Sequence, residues 1–152
     1  RWFAWWEQPA TLGARWPKHV LASNQDGASN VAIADFDGDG KLDVLGTRGH
    51  GRGVVLFRAP RFEPHEVNGD LVGPHTLATG DLDGDGDTDA VVCAKDQGLV
   101  VWLENDGHAG FHTRAIHEDQ AGYDLRLIDM DRDGDLDVLV AGQQSRNVVW
   151  FE

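Results

Sequence analysis

The sequence predicts an all-β protein that is built from repeats. Its 152 residues include 19 glycines, and short apolar segments alternate with turns that are rich in glycine and aspartate. No segment shows the sustained 3.6-residue periodicity of an amphipathic helix. An acidic motif begins at residues 35, 81 and 129, at intervals of 46 and 48 residues. Intervals of this size are typical of repeat architectures.

The acidic motif places carboxylates at alternate positions of a nine-residue loop. We name the three copies loop 1 (residues 35–43), loop 2 (residues 81–89) and loop 3 (residues 129–137). Positions 1, 3, 5 and 9 are aspartate in every copy, and position 6 is glycine. Ca²⁺ takes six to eight oxygen ligands, and alternate residues around a tight turn can supply them. The sequence therefore predicts three calcium sites.

An EF-hand is the alternative calcium motif, and the sequence argues against it. An EF-hand loop ends with glutamate at position 12 and leads into a helix. Position 12 is Gly46, Val92 or Val140 here, and the residues after each loop are short apolar runs rich in valine. Each loop is therefore predicted to lead into a β-strand.

The segments around the loops repeat in a fixed order. Each loop lies between two apolar segments, which we call the first and second types. A third type follows, which ends in an aromatic or apolar pair and a charge, and then a fourth type, which begins with an aromatic residue. The third and fourth types also occur before loop 1, at 1–7 and 16–22. The predicted units are 1–29 (closing strands), 30–67, 76–117 and 123–152, and the last of them supplies only three strands.

This pattern resembles the FG-GAP/VCBS repeat, a calcium-loop β-propeller blade that also occurs in integrin α-subunits. The resemblance implies one propeller segment over 1–152, with three repeats of four-stranded antiparallel blades. Those repeats would be half of a six-bladed ring or a fragment of a larger propeller. It also implies three ligand sets, in which position 7 contributes its backbone carbonyl: Asp35, Asp37, Asp39, Lys41 and Asp43; Asp81, Asp83, Asp85, Asp87 and Asp89; Asp129, Asp131, Asp133, Asp135 and Asp137.

Three repeats are too few for a closed ring, since propellers have about four to eight blades. Two resolutions stay open: a homodimer that closes a six-bladed ring, or the remainder of a larger propeller. In the homodimer, the fourth-type strand near the N-terminus would complete the partner's last blade. The extra third-type strand at 2–7 counts against a simple ring, because it would compete with 147–152 for the same position in the blade that the two chains share.

Charge and composition limit the classes of partner that the protein is expected to bind. The net charge is −13, and the three loops contain 14 of the 26 acidic residues. Three bound calcium ions would reduce the charge to about −7, which is ordinary for a soluble surface. The sequence has no basic patch that would attract nucleic acid or a membrane. Because such loops fill at millimolar calcium, we expect an extracytoplasmic or secreted location.

The expected function is a calcium-stabilised, non-catalytic propeller that serves as a binding or scaffold module for a protein or a glycan. The conspicuous carboxylates are assigned to metal, and no nucleophile–base pair stands out, so we expect neither catalytic residues nor an organic cofactor. The alternative, implied by the resemblance, is the propeller part of a polysaccharide lyase or a sugar dehydratase. Equivalent positions of the repeats contain Trp5, Trp102 and Trp150, but Leu56 in the remaining copy. Because a leucine occupies one of these positions, the alignment predicts packing between blades more strongly than a platform that stacks on sugars.

Overall fold

A computed structural model describes residues 2–152, and it confirms the all-β prediction: strands and no helices occur in that range. Residue 1, which the first predicted strand includes, lies outside the described residues. The strands are β1 (Trp2–Trp6), β2 (Lys18–Ser23), β3 (Ala28–Ala34), β4 (Asp43–Arg48), β5 (Arg52–Arg58), β6 (Glu63–Val72), β7 (Pro74–Gly80), β8 (Asp89–Ala94), β9 (Leu99–Asn105), β10 (Phe111–Glu118), β11 (Gly122–Ile128), β12 (Asp137–Gly142) and β13 (Asn147–Phe151).

The strands form four antiparallel sheets, which we name sheets I to IV in chain order. Sheet I is β1-β2, sheet II is β3-β4-β5-β6, sheet III is β10-β9-β8-β7 and sheet IV is β11-β12-β13. Sheets II and III confirm the predicted four-stranded layout, with each strand hydrogen-bonded to the next one along the chain. Sheets I and IV have two and three strands instead of four, which matches the two strand segments predicted before loop 1 and the three predicted at 123–152. Residues 2–152 also show no closed propeller.

The structure corrects one detail of the predicted N-terminal region. The strand expected to be free for a partner, β2, is already paired along one edge with β1, from Trp6 opposite Lys18 to Trp2 opposite Ser23. Phe3 holds β1 in place, because its ring packs against Phe57 of sheet II with 5.3 Å between ring centroids. Only 5% of Phe3 is exposed.

Consecutive sheets pack against each other through separate apolar clusters. Sheets II and III share the largest cluster, which includes Leu45, Leu56, Val92 and Leu103. Sheets III and IV meet through a second one that contains Leu125, Val140 and Cys93. Cys93 is buried there, and burial raises the pKa of its thiol to about 12. Every residue of β8 is buried, so sheet III is the centre of the described structure.

The residues described by the structure include no helix long and apolar enough to cross a membrane.

Candidate metal centres

Each acidic loop connects the first two strands of its sheet, at the same end of sheets II, III and IV. The loop backbone turns through left-handed conformations at positions 4 and 6. Position 6 is Gly40, Gly86 or Gly134, with φ of 82°, 95° and 107°. Glycine adopts such angles without the steric cost that a β-carbon brings. This requirement explains the invariant glycine of the motif.

The loops bring their carboxylates together. Within each of four groups, one oxygen from every member lies within 4.8 Å of the others. One group belongs to loop 1, one to loop 2 and two to loop 3, and all but one of the carboxylates are loop aspartates. The groups are Asp35, Asp37 and Asp39; Asp81, Asp83 and Asp85; Asp129, Asp131 and Asp137; and Asp131, Asp133 and Glu152.

Backbone N–H groups orient the clustered carboxylates. The first aspartate accepts a bond from a later residue of its loop, as when Gly40 N–H donates to Asp35 at 2.8 Å. The carboxylates at positions 3 and 5 each accept an N–H bond from two residues further along, through Oδ1. In loop 2, for example, Asp85 N–H donates to Asp83 at 3.3 Å and Asp87 N–H donates to Asp85 at 2.8 Å. These bonds use Oδ1, so Oδ2 of each of these carboxylates has no backbone donor among residues 2–152.

The aspartate at position 9 has a second role, which is to fasten the loop to the sheet. The Asp89 carboxylate accepts N–H bonds from Leu82 in loop 2, at 3.1 Å, and from Asn105 at the end of β9, at 2.8 Å. Asp43 accepts the equivalent bonds from Phe36 and Ala59. Burial raises the pKa of both carboxyl groups, while these backbone bonds act in the opposite direction. Both carboxylates are therefore held at the base of their loops.

The charges beside the loops differ between copies. In loop 1 the Lys41 ammonium donates to Asp39 Oδ2 at 2.5 Å, and the Arg58 guanidinium lies 3.7 Å from Asp37 Oδ2. This hydrogen bond lowers the pKa of Asp39 and raises that of Lys41. In loop 3, by contrast, the Glu152 carboxylate joins the acidic cluster.

The structure gathers ten of the fifteen predicted site residues and leaves five outside the clusters. The five are the position-7 residues and two of the position-9 aspartates: Lys41, Asp87, Asp135, Asp43 and Asp89. Position 7 was expected to offer a backbone carbonyl, so a side chain outside the cluster agrees with that expectation. Sequence reasoning missed Glu152, although the charge that ends each third-type segment was a signal for it.

The donor sets fit a hard cation. Each cluster offers carboxylate oxygens from at least three residues and contains no nitrogen or sulfur ligand. Oxygen-only sets of this kind suit Ca²⁺ or Mg²⁺, whereas zinc and copper favour imidazole and thiolate. The flexible nine-residue loop and the number of oxygens favour calcium, because Mg²⁺ demands a near-ideal octahedron of six ligands. A bound ion would also offset the repulsion between neighbouring carboxylates.

The fold and these loops define a class of repeat protein, in which antiparallel sheets each carry an acidic turn between their first two strands. Residues 81–140 match the family model of the FG-GAP-like repeat, from the first residue of loop 2 to β12. Residues 81–140 thus match the repeat that the sequence resembles. No curated protein matches the chain.

Proposed function

We propose that the protein is a calcium-stabilised β-propeller module with a binding or scaffold role. The observation that carries this proposal is the threefold recurrence of one carboxylate cluster at one position of the sheet. The match to the FG-GAP-like repeat supports the propeller-type assignment. Loops 1, 2 and 3 would hold one calcium ion each. The positive charge of the ion would hold the loop oxygens in place around it, so its role is structural.

The expected contribution of calcium to stability is large. At about 1 mM calcium and a Kd of about 10–100 µM, each site stabilises the folded chain by about 1.4–2.7 kcal/mol. Three sites then contribute roughly 4–8 kcal/mol, against a typical net stability of about 5–15 kcal/mol for a domain. Extracellular calcium is in this range, so we propose an extracytoplasmic or secreted location.

Thermal unfolding in calcium and in excess chelator tests this role. We expect the melting temperature to fall by about 10 °C or more in chelator, because a 150-residue chain loses roughly 2–4 °C for each kcal/mol. Re-addition of calcium should restore it, while the same concentration of magnesium should restore less. An unchanged melting temperature in chelator would contradict a structural role for calcium.

We further propose that the two end sheets mediate association with a second copy of the chain. The outward surface of sheet IV exposes 68% of Val148 and 44% of Trp150, and sheet I exposes 44% of Trp2 and 47% of Trp6. Exposed apolar surface of this kind favours association. The strand β13 also has a free edge, since no strand among residues 2–152 pairs with it beyond β12.

Charge complementarity favours a second copy as the occupant. Residues 1–20 contain three basic residues and one acidic residue, whereas residues 121–152 contain seven acidic and three basic residues. Opposite ends of two copies therefore attract each other. Association would place sheet I of one copy edge to edge with β13 of the other, so that the two sheets join into one blade, as a six-bladed ring of two copies requires.

The molar mass in solution, measured by light scattering with calcium present, tests this association. We expect a dimer for the unaltered chain and a shift toward monomer for Val148→Asp. Ala115 is exposed on β10 of sheet III, which is not one of the two end sheets, so Ala115→Asp is a control that should leave the mass unchanged. A monomer at every concentration would contradict the proposal.

The non-catalytic assignment has its own test against the alternative of a lyase or a dehydratase. We expect no turnover when the calcium-loaded chain is incubated with acidic polysaccharides, and retention of the chain on an immobilised glycan or protein ligand. Turnover that is abolished by a substitution outside the three loops would favour the enzyme instead.

A further inference from the structure

Loop 1 differs from the other two loops by charge reversal at two equivalent positions. Position 7 is Lys41 in loop 1, but it is Asp87 in loop 2 and Asp135 in loop 3. The residue at the end of the third strand is Arg58 in sheet II, and its equivalents are Glu104 in sheet III and Glu152 after β13. Loop 1 therefore has a basic residue at both positions where the other loops have acidic residues.

Both cations of loop 1 lie beside carboxylate oxygens of its acidic cluster. In Asp37 and Asp39, Oδ1 accepts a backbone N–H bond, as in the other loops. Their Oδ2 atoms face Arg58 at 3.7 Å and Lys41 at 2.5 Å, respectively. Two of the three clustered carboxylates of loop 1 are thus already paired with a positive charge.

The equivalent acidic residues act differently in the other two sheets. Glu104 forms an ion pair with Arg114 at 2.5 Å, so it adds no free charge to loop 2. Glu152 lies with Asp131 and Asp133 and adds a carboxylate to loop 3. Within residues 2–152, no ion pair within 4 Å reaches a clustered carboxylate of loop 2 or loop 3, and the charge of Arg114 acts on Asp83 only from a longer distance.

We propose that loop 1 is the weakest of the three calcium sites, and that Lys41 and Arg58 set its affinity by pairing with the carboxylate oxygens that calcium needs. The inference rests on the proposed calcium function and deepens it. Loop 1 is neutralised internally when calcium is scarce, whereas loops 2 and 3 depend on the metal. The protein consequently fills its sites in order, with loops 2 and 3 before loop 1.

The size of the difference follows from Coulomb's law. In water-like surroundings, a unit charge about 5 Å from a divalent ion changes its affinity on the order of tenfold. Ionic strength reduces this effect, while two cations in loop 1 increase it. Ligand charge is also one of the properties that set calcium affinity in other loop sites. We therefore expect the affinity of loop 1 to be about tenfold or more below that of loops 2 and 3.

The position-6 glycines allow each site to be measured separately. Calcium is titrated into the metal-depleted full chain at fixed ionic strength, and the backbone amide signals of Gly40, Gly86 and Gly134 are followed by NMR. We expect the Gly86 and Gly134 signals to reach their midpoints at about tenfold lower calcium than the Gly40 signal. Equal midpoints for all three glycines would overturn the inference.

Exchange of charges between repeats tests the assigned cause. Lys41→Asp and Arg58→Glu introduce the residue types of loops 2 and 3, and each should move the Gly40 midpoint to several-fold lower calcium without moving that of Gly134. Asp87→Lys should move the Gly86 midpoint to higher calcium. Arg52 lies at the opposite end of β5 from Arg58, so Arg52→Glu is the control with an identical change in net charge.

The outcomes separate this inference from the calcium proposal on which it rests. If Arg58→Glu and Lys41→Asp shift the Gly40 midpoint no more than Arg52→Glu does, local pairing is not the cause and the inference fails. If none of the three glycine signals responds to millimolar calcium, the calcium function itself fails. If Gly86 and Gly134 respond before Gly40 and the exchanges act as described, both are supported.

Discussion

Sheets II and IV have matching residues at equivalent positions, but their surroundings differ. Val54 of β5 is fully buried, whereas its equivalent Val148 of β13 is 68% exposed. Leu45 of β4 is fully buried, and its equivalent Leu139 of β12 is only half-buried. The difference arises because sheet III covers the surface of sheet II that contains Val54 and Leu45. No sheet among residues 2–152 covers the equivalent surface of sheet IV.

This comparison indicates that sheets II and IV differ in how much of their stability comes from apolar packing and how much from calcium. Sheet II packs against sheet I on one side and against sheet III on the other. Among residues 2–152, sheet IV packs only against sheet III, so less apolar contact stabilises it than sheet II, although both carry a loop of the same kind. Calcium is consequently expected to matter most for sheet IV.

The largest effect is expected from the same substitution made in both sheets. Leu45→Ala should reduce the free energy of unfolding by about 2–5 kcal/mol, because it leaves a cavity in a closed core. In the monomer, Leu139→Ala should cost about 1 kcal/mol, since this side chain is partly hydrated there. Chemical denaturation of both variants in calcium, at a protein concentration low enough to keep the chain monomeric, measures the difference. Equal losses would mean that the outer surface of sheet IV is covered in solution.

This first prediction bears on what the sequence could reveal. The loop spacing predicts the three acidic clusters and the strands on either side of them, because local turn chemistry determines both. The repeated segments, together with the resemblance to the FG-GAP/VCBS repeat, also predict the four-stranded sheets II and III. It could not reveal that Val54 and Val148 have different environments, since the two valines occupy equivalent places in their repeats. Burial depends on which sheet lies opposite, and that is not a local property.

The sites show the same division between local and non-local information. The clustering of the loop aspartates follows from their alternate spacing, and the glycine at position 6 follows from its positive φ. The position of Glu152 beside Asp131 depends on the return of β13 to the loop end of the sheet. The hydrogen bond that Asn105 N–H donates to Asp89 likewise joins residues 16 apart. Contacts between strands, and not local sequence, determine these details.

A second, smaller effect concerns the order in which the sheets lose protection without calcium. In chelator, we expect the amides of β11 and β12 to exchange about tenfold to a hundredfold faster, which corresponds to the loss of about 1.4–2.7 kcal/mol for one site. The amides of β8 and β9 should change less, because β8 is buried throughout. Hydrogen exchange detected by mass spectrometry resolves these peptides. Uniform acceleration in all sheets would show that the chain unfolds as a single unit.

The smallest effect distinguishes the loops of the two sheets. Position 4 is Gly38 in loop 1 with φ of 71°, but Arg132 in loop 3 with φ of 70°. A residue with a β-carbon is strained in this region, so Arg132→Gly should stabilise the chain by about 0.5–1 kcal/mol. Gly38→Arg should destabilise it by a similar amount or more. Denaturation midpoints in saturating calcium measure both, and a loss of stability for Arg132→Gly would argue against strain at this position.

The central claim is that three equivalent loops each hold one calcium ion. Native mass spectrometry of the full chain in millimolar calcium tests it most directly, because the mass gives the number of bound ions per chain. We predict three calcium ions per chain, and two for either Asp83→Ala or Asp131→Ala. A folded chain whose mass in millimolar calcium equals that of the metal-free chain would contradict the account.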